Sequence, residues 1–474
     1  MHFLRKNYIL ILCIIFWCVI TLIRVFNHFP WYDEAHAWAI AQDLNLIEII
    51  KLMKYEGHTI LWYSCLMPFA KLNIGYPYSM LLINWLFCFI AILILWFKSP
   101  FNNWIKFFIS FSFPFLGYFP IVARCYSIGI MFLFMLCALY KDRFKYPNWY
   151  ALLLILCANT SVMALIGATI LGVGLLYKLI RKKYKNPYVY LILSIGAILV
   201  AIQLLTSSSN GIRTESFWGL SSENIDTLLK YFLFSFSIKH ILVVCALFIL
   251  CVFFIVNKIF PKFLVVSFSL LSLIFVFVYS GKFWHYIFYY VYLIVGLWLL
   301  DDKFKNLKLK FIPNFILVVI SIYLIFFPPI KDDYYLIIYS TPYAKLSKII
   351  NNDRNLSNAN IIYDDASLFP LEFLNENFLN YCYPKLRLLP TYYQKEYCYV
   401  ENNNYHVDFN YKRLDTLYKN KSYFLLSSVI LNGMNDELII PNENKFGEFI
   451  KLKFYKRFHV DSFNYYFYKM EKVN

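Results

Sequence analysis

Long apolar runs recur along the first 329 residues of this chain, separated by short connections rich in lysine and arginine. That alternation leaves few architectures open. A run of roughly 18 to 22 apolar residues can cross a bilayer as a helix, and a helix satisfies its backbone amides where no water can. About eleven such runs are expected, near 8–26, 78–97, 106–120, 122–140, 149–161, 162–180, 188–205, 240–257, 263–280, 284–300 and 311–329. The third and fifth are short, so they are expected to pair with neighbours as hairpins whose ends dip into the membrane face. The opening "MHFLRKNYILILCIIFWCVITLI" starts basic like a signal peptide. Its apolar part is long and no small-residue cleavage site follows, so it reads as a retained first span. With 60% apolar and only 15% charged residues, the chain is too hydrophobic for an ordinary soluble domain.

The formal charge of +17 would, on its own, suit a nucleic acid or an anionic surface. The cations instead concentrate in connections: Arg5-Lys6, Lys98 to Lys106, "KDRFK" at 141–145, "KLIRKKYK" at 178–185, Lys258 to Lys262 and "KFKNLKLK" at 303–310. If the spans alternate, all of these share one side, which the positive-inside rule makes cytoplasmic. The charge is then a topology signal, and no nucleic-acid partner is expected. The N-terminus becomes cytoplasmic in a multi-pass cell-membrane protein. The outer side receives the loops 27–77 and 206–239 and the chain beyond about residue 330.

Two domains follow: a transmembrane domain, 1–329, whose outer loop 27–77 carries interfacial helices, and a soluble extracytoplasmic domain, 330–474. The second loses the long apolar runs. Its β-like stretches "NIIYDD", "SYFLLSS" and "FNYYFYKM" alternate with helical ones, which predicts a small α/β or α+β fold. The 11 cysteines include Cys13, Cys18, Cys88, Cys137, Cys157, Cys245 and Cys251 inside apolar runs, where they act as small hydrophobes. Cys382 and Cys398 would meet an oxidising compartment, where a disulfide and two free thiols both fit.

Candidate chemistry gathers on the outer side. "PWYDEAHAW" places Tyr32, Asp33 and Glu34 directly after the first span. One reading makes Asp33 the N-cap of a helix starting at Glu34, with both acids favoured at its positive end. The other makes Asp33 a general base that takes a proton from an attacking hydroxyl. From Glu34 to Met53 apolar residues recur at helical spacing, predicting a helix with its apolar side in the headgroup layer. In "YEGHTILWY", Glu56 and His58 could wall a pocket or simply sit at the interface. In "IVARCYSIGIMFLF", Arg124 could snorkel, but away from the cytoplasmic face its fork suits a phosphate, with Tyr126 beside it. In "SGKFWHYIFYY", Lys282 and His285 fit either an aromatic belt or a second phosphate contact. Together, a carboxylate could activate a nucleophile while separate cations stabilise a leaving phosphate on a lipid carrier.

The order "YDEAHAWAIAQ", "EGHTILWYSCLMPFAKL", "VARCYSIGIMFLFMLCALY" and "ANTSVMALI" resembles the multispanning GT-C glycosyltransferases related to protein O-mannosyltransferases and aminoarabinose transferases. The likeness covers about the first 180 residues by motif and the other spans by architecture. It implies inverting transfer of a sugar from a polyprenyl-phosphate carrier to a glycan, lipid or protein acceptor on the non-cytoplasmic face. It also implies that Asp33 is the base, Glu34 its acidic neighbour and Arg124 the later motif arginine. Where the family often has paired prolines this chain has Thr59-Ile60, so His58 matches in position only. No cofactor is demanded, and whether a divalent cation binds at Asp33, Glu34 and His58 stays open. A transporter of lipid-linked saccharide would instead place ionisable residues deep within several spans, and a scaffold would make Asp33 and Glu34 dispensable.

Overall fold

The computed structural model describes residues 2–56, 58–205, 241–278, 282–326 and 341–363, residue 371, and strand segments at 378–380, 400–401, 404–405, 423–427, 437–441, 449–460 and 463–473. The loop 206–239 with Arg213 and Lys239, and the cysteines 382 and 398, lie outside the described residues. The chain divides into two compact units, one of Met1–Phe26, Leu46–Cys65 and Tyr78–Ile338, the other of Asn27–Asn45, Leu66–Pro77 and Tyr339–Asn474.

The first unit is helical. Among the described residues five helices are long and apolar enough to cross a membrane: α1 (His2–Asn27), α5 (Tyr78–Lys98), α9 (Val162–Arg181), α10 (Pro187–Leu205) and α13 (Phe283–Phe304). The remaining expected spans coincide with shorter elements: α6 (Asn103–Phe111), α7 (Tyr126–Leu139), α8 (Pro147–Ala158), α11 (Ile241–Val256), α12 (Lys262–Phe277) and α14 (Phe311–Phe326). Among the described residues, five of the roughly eleven expected spans are thus helices of membrane length. One reason is local: α6 stops before Pro114, which opens a π-helical turn, Pro114–Tyr118, because proline cannot continue the preceding hydrogen-bond ladder.

Many outward side chains of this unit are apolar. On α10, Tyr188, Leu191, Ile195, Ile198 and Ile202 repeat every three or four residues and are all exposed. A stripe of that kind is costly in water and suits a helix bordered by lipid.

The expected single helix over 34–53 is two helices, α2 (Tyr32–Asp43) and α3 (Leu46–Glu56), interrupted at Leu44 and Asn45. Nor does α2 present one apolar side to headgroups: Glu34 through Ala41 are all buried. The alanines at 35, 37, 39 and 41 are small enough to admit close packing all round, a pattern that periodicity cannot distinguish from a surface stripe. Helix α3 does keep an exposed side, with Ile49, Leu52 and Met53 buried and Lys51 exposed. Helix α4 (Leu61–Lys71) follows.

In the second unit, helix α15 (Thr341–Asn352) precedes a six-stranded mixed sheet ordered β2-β1-β5-β8-β7-β6. Its strands are β1 (Asn360–Tyr363), β2 (Phe378–Asn380), β5 (Tyr423–Ser427), β6 (Glu437–Pro441), β7 (Phe449–Val460) and β8 (Phe463–Val473). A separate pair joins β3 (Val400–Glu401) and β4 (Asn404–Tyr405). The three β-like stretches read from the sequence are β1, β5 and β8. β1 pairs in parallel with β2 and β5, and the rest is antiparallel.

Asp353 fastens the end of α15. Its carboxylate accepts the backbone N–H groups of Asn355 and Leu356, and the Tyr455 hydroxyl of β7 donates to it at 3.1 Å. Burial alone would raise this carboxyl, but those donors and Lys456 outweigh it and hold Asp353 below the usual carboxylate range.

Candidate functional site

The candidate residues form two groups, one in each unit. In the second unit, α2 begins at Tyr32, not at Glu34, so Asp33 is inside the first turn and does not cap it. The residue before the helix is Trp31, whose indole has no acceptor to offer the first amides. Glu34 supplies the missing connection from three residues on: its Oε2 accepts the Trp31 backbone N–H at 3.1 Å. The same oxygen lies 2.8 Å from Nε2 of His28, and neither side chain has any solvent-accessible surface. That carboxylate holds the chain entering α2. Asp33, one position earlier, is half-buried.

Aromatic side chains surround this start. The Tyr32 ring stacks on His36 with centroids 5.6 Å apart, and Tyr76 packs against Trp38 at 5.4 Å. Burial, reinforced by the negative charge of Glu34, pushes the Tyr76 hydroxyl well above its usual range. Tyr76 is therefore a neutral phenol beside the carboxylate.

In the first unit, the turn bearing Arg124 is held from several sides. Trp17 Nε1 and Arg24 of α1 donate to the carbonyls of Phe115 and Leu116, at 3.0 and 3.1 Å. The Asn84 amide and the Ser127 hydroxyl both donate to the Phe119 carbonyl, at 2.8 and 2.7 Å. These bonds satisfy carbonyls that the π-helical turn leaves over, and they set where α7 begins. Gly129 then lets α7 lie against the turn 158–161, since a Cβ there would come within 2.8 Å of Thr160 Oγ1 and 2.9 Å of the Ala164 Cβ.

That turn, part of "ANTSVMALI", carries the His58 segment. His58 and Ser161 form an antiparallel bridge, and the Leu61 N–H donates to the Asn159 carbonyl at 2.9 Å. Gln203 of α10 closes the arrangement: its Oε1 accepts the Ile60 N–H at 2.8 Å while its Nε2 donates to Asn159 Oδ1 at 2.9 Å.

Four of the sequence candidates then meet. The Arg124 guanidinium donates to His58 Nε2 at 3.1 Å and lies 5.9 Å from the centre of the Tyr126 ring. The His58 ring meets Tyr126 edge-on, and the Tyr126 hydroxyl is 3.0 Å from Nε2 of His285. His285 Nδ1 in turn accepts the Lys282 backbone N–H at 2.9 Å, spanning the N-terminus of α13.

The bonds assign the protons. A ring nitrogen that accepts from a backbone N–H carries no hydrogen, so the proton of neutral His285 is on Nε2 and is donated to the Tyr126 oxygen. The Tyr126 oxygen is then the acceptor in that bond. By the same rule His58 accepts from Arg124 through an unprotonated Nε2. The result is a half-buried guanidinium beside a buried phenol, among aromatic rings. Such a set can hold a phosphate oxygen.

Lys282 is exposed at the start of α13, and Glu56 is linked to the Tyr63 hydroxyl at 3.5 Å. Among the described residues no group of three or more His, Cys, Asp and Glu side chains is placed to hold a metal ion. Sequence reading missed His28, Tyr76, Asn159 and Gln203. "NHFPWYDE" did place His28 six positions before Glu34, but the contact depends on how Pro30 turns the chain. Comparison with protein-family models, with curated proteins and with solved structures finds no match.

Proposed function

We propose that this chain is an integral-membrane glycosyltransferase of GT-C type, moving a sugar from a polyprenyl-phosphate donor to an acceptor hydroxyl on the outer face of the cell membrane. The observation that carries the reading is the linked set Arg124, His58, Tyr126 and His285, which brings a guanidinium and a phenol together with two imidazoles. In the reaction Asp33 accepts the proton of the acceptor hydroxyl. The oxygen attacks the anomeric carbon from the face opposite the leaving group, and the C–O bond to phosphate breaks with inversion. Arg124 and the Tyr126 hydroxyl stabilise the charge arriving on the departing phosphate, and Lys282 adds a cation to its approach. Glu34 acts at one remove, by anchoring the turn of helix from which Asp33 projects.

The test incubates purified protein with a labelled polyprenyl-phosphate sugar and measures release of the carrier. Arg124→Ala is expected to slow release about a hundredfold or more, the usual loss when one donor to a developing anion is removed. Asp33→Asn is expected to abolish transfer while membrane insertion and abundance stay at wild-type levels. Near wild-type transfer by the Asp33 variant would remove the assigned base, and transport of the intact donor without carrier release would replace the enzyme by a transporter.

A further inference from the structure

The basic connections at one end of the first unit do more than mark a membrane side. A cation that only satisfies the positive-inside rule gains by pointing into water, away from its like-charged neighbours. Here they converge. Arg143, Lys178 and Lys182, from the α7–α8 connection and the end of α9, stand 4.5, 5.8 and 4.8 Å from the centre of one ring, that of Phe144. Arg143 also covers Tyr140 at 3.7 Å and donates to the Tyr140 carbonyl, so its place is fixed. Lys262, at the start of α12, is near enough to add to the positive field at Lys178. A single aromatic face returns only about 0.5–1 kcal/mol per cation at an exposed site, a weak return for gathering several like charges.

A second feature adjoins the cluster. On the neighbouring turns of α8, α9 and α10, Trp149, Tyr177, Ile180 and Tyr188 are between 59% and 66% exposed. Charges at helix ends above an uncovered apolar collar match an amphiphile with a negative head and hydrocarbon tails.

We propose that Arg143, Lys178, Lys182 and Lys262 form a binding site for an anionic phospholipid headgroup, with the collar taking the acyl chains. This inference does not depend on sugar transfer.

The test reconstitutes full-length protein into phosphatidylcholine nanodiscs doped with phosphatidylglycerol and counts retained lipid by native mass spectrometry. Retention of phosphatidylglycerol over phosphatidylcholine is expected. In the double variant K178Q/K182Q its affinity should fall about thirtyfold, as expected for two lysines at an anionic surface. The matched variant K308Q/K310Q, which removes cations away from the Phe144 ring, should retain it, and K178R/K182R should restore it. Equal retention of both lipids, or equal losses in the two glutamine variants, would overturn the site. Displacement of the lipid by millimolar inorganic phosphate would make it a soluble-anion site and overturn the lipid assignment.

Discussion

Helices α2 and α13 begin by the same device and put it to opposite electrostatic use. Neither is preceded by a serine, threonine, asparagine or aspartate; Trp31 and Lys282 stand in that place. In both, the side chain three residues on reaches back to the backbone N–H before the helix, Glu34 in α2 and His285 in α13. Each then binds a further side chain, His28 for Glu34 and Tyr126 for His285. The first turn of α2 carries two acids, so the positive end of that helix is occupied by the protein's own carboxylates. The first turn of α13 carries none, and its capping group is an uncharged ring. One N-terminus is offset by acids of its own first turn, while the other has none there. The proposed reaction uses that difference, with its base on α2 and its phosphate contacts near α13.

The comparison breaks most visibly at His28 and Glu34. Glu34→Ala should lower unfolding stability by about 3–5 kcal/mol, the cost of leaving a buried partner uncompensated. Glu34→Gln should lose less, since an amide oxygen still accepts the Trp31 N–H. Equal losses on chemical denaturation in detergent would mean that capping contributes nothing there. Gly129→Ala is expected to cost about 1–3 kcal/mol by driving α7 off the 158–161 turn, and to weaken donor binding with it. A stable variant with unchanged donor affinity would uncouple the turn from Arg124.

At α13 the expected stability effect is smaller. His285→Ala removes an uncharged cap worth roughly 1 kcal/mol but also frees the Tyr126 hydroxyl to rotate. Carrier release should therefore suffer more than stability, and His285→Gln, with one acceptor and one donor, should recover part of the rate. If stability and rate fell together and Gln rescued neither, His285 would be packing alone.

The smallest effect belongs to Asp353, an acid at the far end of a helix. Its folded carboxyl is held below the ordinary range, so the contribution is complete above the unfolded value and is lost as pH falls through the depressed folded one. Asp353→Asn should flatten that acid limb in a pH series of melting curves. An unchanged limb would assign it to other carboxylates.

Much of this molecule was legible in the chain. The apolar runs located the helices of the first unit, because burial in lipid or protein selects long hydrophobic segments whatever they pack against. Strands β1, β5 and β8 were readable from short aromatic and β-branched stretches. Helix α2 was misread: its alanines are apolar on every side, and helical spacing cannot tell a buried helix from one at an interface. Helix α7 came out shorter than its run, since hydropathy records composition and not where hydrogen bonding ends.

By itself the sequence determined the abundance of apolar helix, the sheet-bearing C-terminal segment and the residue types available for acid–base and phosphate chemistry. These follow from local composition and from the free energy of moving side chains out of water. Tertiary structure alone decided which of those residues meet. His58 finds Arg124 across 66 positions, and Tyr126 finds His285 across 159. Hydrogen bonds of that range depend on the close approach of Gly129 to the 158–161 turn, a π-helical bend and an amide on α10, none of which announces its partner locally. The same holds for Glu34, whose contact with His28 no local feature of the sequence announces.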